Sequence, residues 1–285
     1  MQAFGAQLYA LRREQGRLAE VEAAATGFIQ QYPAVPAWRA AVALIHVDLG
    51  KEEDARREFE PLAKDDFAVF PRDGVWPISM AILAELAVYL NDRERAAALY
   101  EHLRPRAELT IVVGGLVDCY GSASRYLGLL AGALGRWEDA ERHFEDAIEA
   151  HQRMGTRRWT GWGQYQYADM LLRRDGAGDR KKALSLLSQA LDTAQELGMK
   201  ALLERALALK LQAQGSRSPT SAHRSTPWRG KRWQSSLTLR RTRRPTAPSP
   251  SCSATSKAPP RWRTGWATRG SWTSSASTTP SSESR

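Results

Sequence analysis

The sequence predicts an all-α protein, a right-handed helical solenoid of about five helix pairs followed by an unstructured basic tail. Three observations carry this. A register of small and bulky apolar residues recurs after the turn positions 16, 50, 91, 135 and 178, which lie 34, 41, 44 and 43 residues apart. Each recurrence joins two amphipathic segments, and such a pair buries its apolar face only by stacking on its neighbours. Charge divides sharply along the chain: 14 of the 41 basic residues, but only Glu283 of the 31 acids, fall in residues 216–285.

The pairs read in order as follows. Gly16 is followed at five, nine and twelve residues by Val21, Ala25 and Phe28, and Gly50 by Ala55, Phe59 and Leu62. Asn91 precedes Ala96, Tyr100 and Leu103 at the same offsets. The clearest unit has Leu127, Gly128 and Ala131 before the turn at Gly135, and Ala140, Phe144 and Ala147 after it. Gly178, with a short DGAG insertion in its turn, leads to Ala183, Leu187 and Ala190. A small residue five positions past the turn lets two antiparallel helices approach closely, and the bulky residue that usually follows fills the gap to the next pair. Gly or Asn at the turn suits the left-handed residue that ends a helix. Acids just beyond it, Glu52 to Asp54 and Glu138 with Asp139, favour the next helix's N-terminus.

Other classes are excluded by composition. The longest apolar stretch, LTIVVGGLV at 109–117, is far below the ~20 residues a membrane helix requires. Gln7, Arg12, Arg13 and Glu14 stand where a signal peptide needs an apolar run, so a cytoplasmic location is expected. Cys119 and Cys252 are single and far apart, which supports neither a disulfide framework nor a cysteine zinc site. His46, His102, His143 and His151 lack partners at metal-ligand spacing. DGAGDRKK at 175–182 lacks the spacing of a phosphate-binding loop and reads as a turn. No catalytic, cofactor-binding or metal-ligating residue is expected.

One surface suggests a ligand. RRWTGWGQYQY at 157–167 sets Trp159 and Trp162 on one helix face, with Tyr165 extending the band and Arg157 beside it; Arg125 and Tyr126 are placed on the same side. Such a band can cradle a peptide or planar ligand. The competing reading is that these aromatics pack between repeats.

The pattern resembles the tetratricopeptide repeat, most specifically in Leu127–Gly128 and the Ala140, Phe144, Ala147 triplet. The long period is similar to the degenerate repeats of large actinobacterial-type signalling proteins, in which an ATPase, a tetratricopeptide solenoid and an output domain share one chain. The run YADMLLRRDGAGDRKKALSLLSQALDTAQELGMKALLERAL is the closest stretch. The resemblance covers about residues 1–215 and implies binding of a protein or peptide partner, or of other domains of a parent protein. It also implies an ATPase-like region upstream, since Met1 opens almost directly into the first repeat.

The tail holds 5 of the 10 tryptophans and 8 of the 14 prolines, and it lacks Asp, Asn, Ile, Val, Phe, Tyr and Met. This composition builds no core. It is compatible with a nucleic-acid arm or a linker, but GC-rich DNA translated out of frame gives the same bias. Residues 245–260 (PTAPSPSCSATSKAPP) admit codons that read DGTVTILFSDIEGST one base earlier. The flanking residues likewise recover acids and branched aliphatics. The recovered text resembles the opening strand of class III adenylate/guanylate cyclase domains. In that family the motif's Asp binds two catalytic metal ions. Thr255 stands at its position here and cannot replace a carboxylate. The expectation is therefore a non-catalytic regulatory module with no membrane partner, and nucleic acid is the less favoured partner. Two alternatives are a stand-alone peptide adaptor and the regulatory part of an ATPase-type transcriptional regulator.

Overall fold

A computed structural model describes residues 2–113 and 117–215, which belong to a single compact unit of the chain. The basic segment 216–285, with Thr255 and the recovered cyclase motif, lies outside the described residues. The described chain is all-helical apart from one short hairpin.

The helices are α1 (Gln2–Glu14), α2 (Glu22–Gln31), α3 (Pro36–Asp48), α4 (Glu52–Leu62), α5 (Trp76–Tyr89), α6 (Arg93–Leu103), α7 (Ala123–Leu134), α8 (Trp137–Arg153), α9 (Arg157–Arg174), α10 (Asp179–Leu197) and α11 (Lys200–Ala213). Each of α3/α4, α5/α6, α7/α8 and α9/α10 packs as a pair, and the first helices α3, α5, α7, α9 and α11 also touch in succession. The five expected turn residues all have positive φ. Gly135, at φ 79°, ends α7 in the left-handed region, and Asn91 takes φ 54° between α5 and α6. In the last pair it is Asp175, at φ 53°, that ends the helix, while Gly178 caps the start of α10; the DGAG insertion separates these two roles.

The small positions work by contact. A Cβ at Gly128 would lie 3.0 Å from the Phe144 ring, which is how α7 and α8 come together. Leu127, Ala140, Phe144, Ala147, Ala183, Leu187 and Ala190 are all fully buried. So are Ala55, Phe59 and Ala96, while Tyr100 is 2% exposed.

Two features depart from the repeat pattern. Between α6 and α7 the chain forms an antiparallel hairpin of β1 (Thr110–Val113) and β2 (Asp118–Ser122), with a bulge between Ile111 and Val112. The β-branched run TIVV favours this over helix. The first expected pair is also unlike the others, because α1 makes its main contacts with the short 3-10 turn at Leu18–Glu20, with β2 and with α11 rather than with α2. Among the described residues no helix is long and apolar enough to cross a membrane.

Candidate functional site

Charged residues from sequence-distant helices converge where α1 meets α3, α5, α7, α9 and α11. Arg13 on α1 donates from Nε to Asp48 Oδ2 (2.8 Å) and from NH2 to Glu85 Oε2 (2.5 Å). Asp48 Oδ1 accepts from Arg205 on α11 at 2.8 Å. Glu85 Oε1 accepts from Arg125 at 3.1 Å, and Arg125 also donates to Gln166 at 2.9 Å. The side chains of Asp48 and Glu85 are 5% and 8% exposed, so this is an interior cluster. Burial acts to raise both carboxyl pKa values, but Arg13 with Arg205 or Arg125 outweighs it and holds them below the ordinary carboxylate range.

Next to Arg13, Glu14 accepts from the Trp162 indole N–H at 3.0 and 3.1 Å, with Arg158 3.9 Å away. Here burial wins, and the Glu14 pKa is raised despite the arginine and the indole. Arg158 and Trp159 both donate to the Cys119 carbonyl, at 2.9 and 2.7 Å, fastening β2 to α9. A cleft of about 390 Å³ opens alongside, apolar on the side of Ala10, Leu11, Leu197 and Met199 and polar at Glu14, Asp118 and Arg158.

The sequence-selected ligand residues are gathered here, but they face inward. Arg125 and Tyr126 are 1% exposed, and Trp159 and Trp162 are 4%. Arg125 lies between the Tyr126 and Trp159 rings, 4.0 and 4.6 Å from their centres, and Trp162 packs edge-on to the half-buried Tyr165 at 5.9 Å. These side chains form no open aromatic face; their burial fits packing between helices, the competing reading of the same residues. Arg157 points away and pairs with Glu196 at the surface.

Four residues that the sequence did not single out complete the arrangement: Arg13, Asp48, Glu85 and Arg205. Each reads locally as an ordinary charged residue on a helix, and no spacing connects positions 13, 48, 85 and 205. His151 was equally silent. It is fully buried, accepts the Ser122 backbone N–H at Nε2 (2.8 Å), and burial together with the Arg125 charge lowers its pKa to about 3. Among the described residues no group of three His, Cys, Asp or Glu could hold a metal ion. The central cluster holds one helix, α1, by guanidinium, carboxylate and indole contacts. No protein-family model matches the chain, and no curated protein compared with it matches either.

Proposed function

We propose that residues 1–215 are a non-catalytic interaction and regulatory module, a tetratricopeptide-like right-handed solenoid, taken from a cytoplasmic signalling protein whose output domain was a class III adenylate/guanylate cyclase. The observation that carries the solenoid reading is the repeated joint: left-handed residues at 16, 50, 91, 135 and 178, with buried small residues at fixed offsets after them. Successive first helices that touch one another support it further, since a stack of such units presents one continuous row of helices to a partner. The cyclase assignment rests on the text recovered one base out of frame from residues 245–260. Its partners on this reading are a protein or peptide, or the parent protein's own domains.

The test is to sequence the gene from the codon of Arg205 past that of Arg285, repair the frame by one base, and assay the product for cyclic nucleotide formation from ATP and GTP. The expected result is an open frame running from the recovered motif through a cyclase domain, with activity restored by the repair. Stop codons in that frame, or codons that do not spell the motif, overturn the cyclase assignment. Cyclic nucleotide formation by the unrepaired chain would overturn the non-catalytic reading.

A further inference from the structure

We propose that α1 is an in-chain ligand: it occupies a receptor face built from α3, α5, α9 and α11, and that face binds in trans an α-helix from a partner carrying an aromatic residue, an arginine four positions later and a hydrogen-bond acceptor after it. This deepens the interaction-module reading and rests on it.

The argument starts from how α1 is held. Of its described side chains only Tyr9 and Ala10 are buried, while Phe4 and Leu11 are 67% and 52% exposed. Its anchoring is polar: Arg13 to Asp48 and Glu85, Glu14 to Trp162, and Gln7 to the Val117 carbonyl at 3.1 Å. A helix with a thin apolar seam and many polar contacts is the kind of element that opens ahead of its fold. The turn after it, with Gly16 at φ 67°, is a short tether.

The receptor face specifies its occupant by charge. Asp48 and Glu85 keep Arg205 and Arg125 as partners when α1 leaves, but each carboxylate loses the guanidinium they share. Departure of the whole helix lets water reach them, whereas loss of Arg13 alone strands two acids under a helix that cannot neutralise them. A replacement helix must therefore bring a planar, bidentate cation to the same point, and this favours arginine over lysine. Trp162 presents its indole N–H one residue further along, which calls for an acceptor such as Glu14. Because α1 is tethered by a few residues, its effective concentration is of millimolar order, and a free helix competes only when the tethered one is weakened.

The experiment uses the full chain and a fluorescent peptide of residues 2–17 as the probe. Peptide polarisation is followed with the unmodified chain and with Arg13→Ala, whose own α1 is loosened. Arg13→Ala is expected to bind the peptide at least about tenfold more tightly than the unmodified chain does, because its face is open for a larger fraction of the time. A peptide carrying the same Arg13→Ala change is expected not to bind. A folded Arg13→Ala chain that ignores the peptide overturns the proposal. Should that variant fail to fold, hydrogen exchange on the unmodified chain decides. Exchange of α1 amides ahead of those in α3 and α9 upholds the proposal, and their release only in one global step overturns it. Partner or domain binding that persists where the peptide fails removes this inference and leaves the module reading intact.

Discussion

Gly128 and Gly132 lie one turn apart on α7 and provide a matched pair for testing the helix-approach argument. Replacing either by Ala brings the same gain, about 1 kcal/mol of helix propensity. Their surroundings differ. At Gly128 the new Cβ meets three atoms of the Phe144 ring at 3.0 Å. That ring is fully buried and stacks on Tyr167 at 5.6 Å, and the Tyr167 hydroxyl donates to Glu141 (2.6 Å) with Glu145 close by (2.9 Å), so the ring has nowhere to retreat. Overpacking of this kind costs about 2 to 3 kcal/mol, so Gly128→Ala should be destabilised by about 1 to 2 kcal/mol net. At Gly132 the nearest atom is Met170 Cγ at 3.3 Å, part of a flexible thioether chain that can move aside. Gly132→Ala should then keep most of its propensity gain. The two variants are expected to differ by about 2 kcal/mol, which for a domain of this size is about 4 to 8 °C in melting temperature. Urea and thermal unfolding followed by far-UV circular dichroism read this directly. A Gly128→Ala chain as stable as the unmodified one, or no less stable than Gly132→Ala, would refute the claim that glycine is there to admit Phe144.

Three further outcomes follow from the buried groups. His151 has a folded pKa near 3, far below the roughly 6.5 of an unfolded chain, so the fold needs the neutral ring. Its contribution is complete above about pH 6.5 and falls by about 1.4 kcal/mol per pH unit as the solution is acidified toward the folded value; urea titrations should show a shallower acid slope for His151→Gln, and parallel slopes would sink the assignment. Gly121→Ala should cost about 3 kcal/mol or more, since φ is +79° and the added Cβ would stand 2.6 Å from His151 Nε2 and 2.9 Å from Trp159 Cγ; a melting temperature within a degree of the unmodified chain would contradict this. Glu14 is the reverse case of His151. Its pKa is raised, chiefly by burial, which means that the ionised form is penalised in the fold, so Glu14→Gln should match the unmodified chain below the unfolded carboxyl pKa and be the more stable of the two at pH 8. An advantage that is absent at pH 8, or that grows on acidification, would reverse the sign of that argument.

What could be read from the sequence was what is decided within a few residues. Asn91 and Gly135 announce left-handed turns because so few residue types sit there cheaply, and Ala140 and Gly128 announce close approach because a larger side chain would collide. The hairpin stands outside the helical repeat that the sequence predicts; its local signal is the β-branched run TIVV beside a glycine pair at 110–115, too short to show in a pattern with a period near 43 residues. Asp65, Asp66 and Phe67 all adopt positive φ, at 49°, 54° and 63°, a conformation no local preference favours; the burial of Phe67 accompanies it. The central ion cluster was illegible for a different reason. Arg13, Asp48, Glu85 and Arg205 meet only through the path of the whole chain, and a charged residue on an isolated helix carries no sign of its distant partner. The aromatic band is a different case: Trp159 and Trp162 do gather at one place, but a helical spacing cannot say whether the face it defines is covered, and both are 4% exposed.

The bond between Asp48 and Arg205 and that between Glu14 and Trp162 join residues 157 and 148 positions apart. A row of helices in which each touches only its neighbours unravels from its ends, because a terminal unit has half the support of an internal one. Here the two ends brace each other, so neither is terminal in that sense. Fraying at α11 must break contacts to α3, and fraying at α1 must break contacts to α5 and α9. These long-range contacts close large loops of the described chain, whose closure entropy must be met before they form, which places them late in folding. While α1 is seated, the row has no loose end; once α1 lifts, it becomes an open strip free to peel from either end.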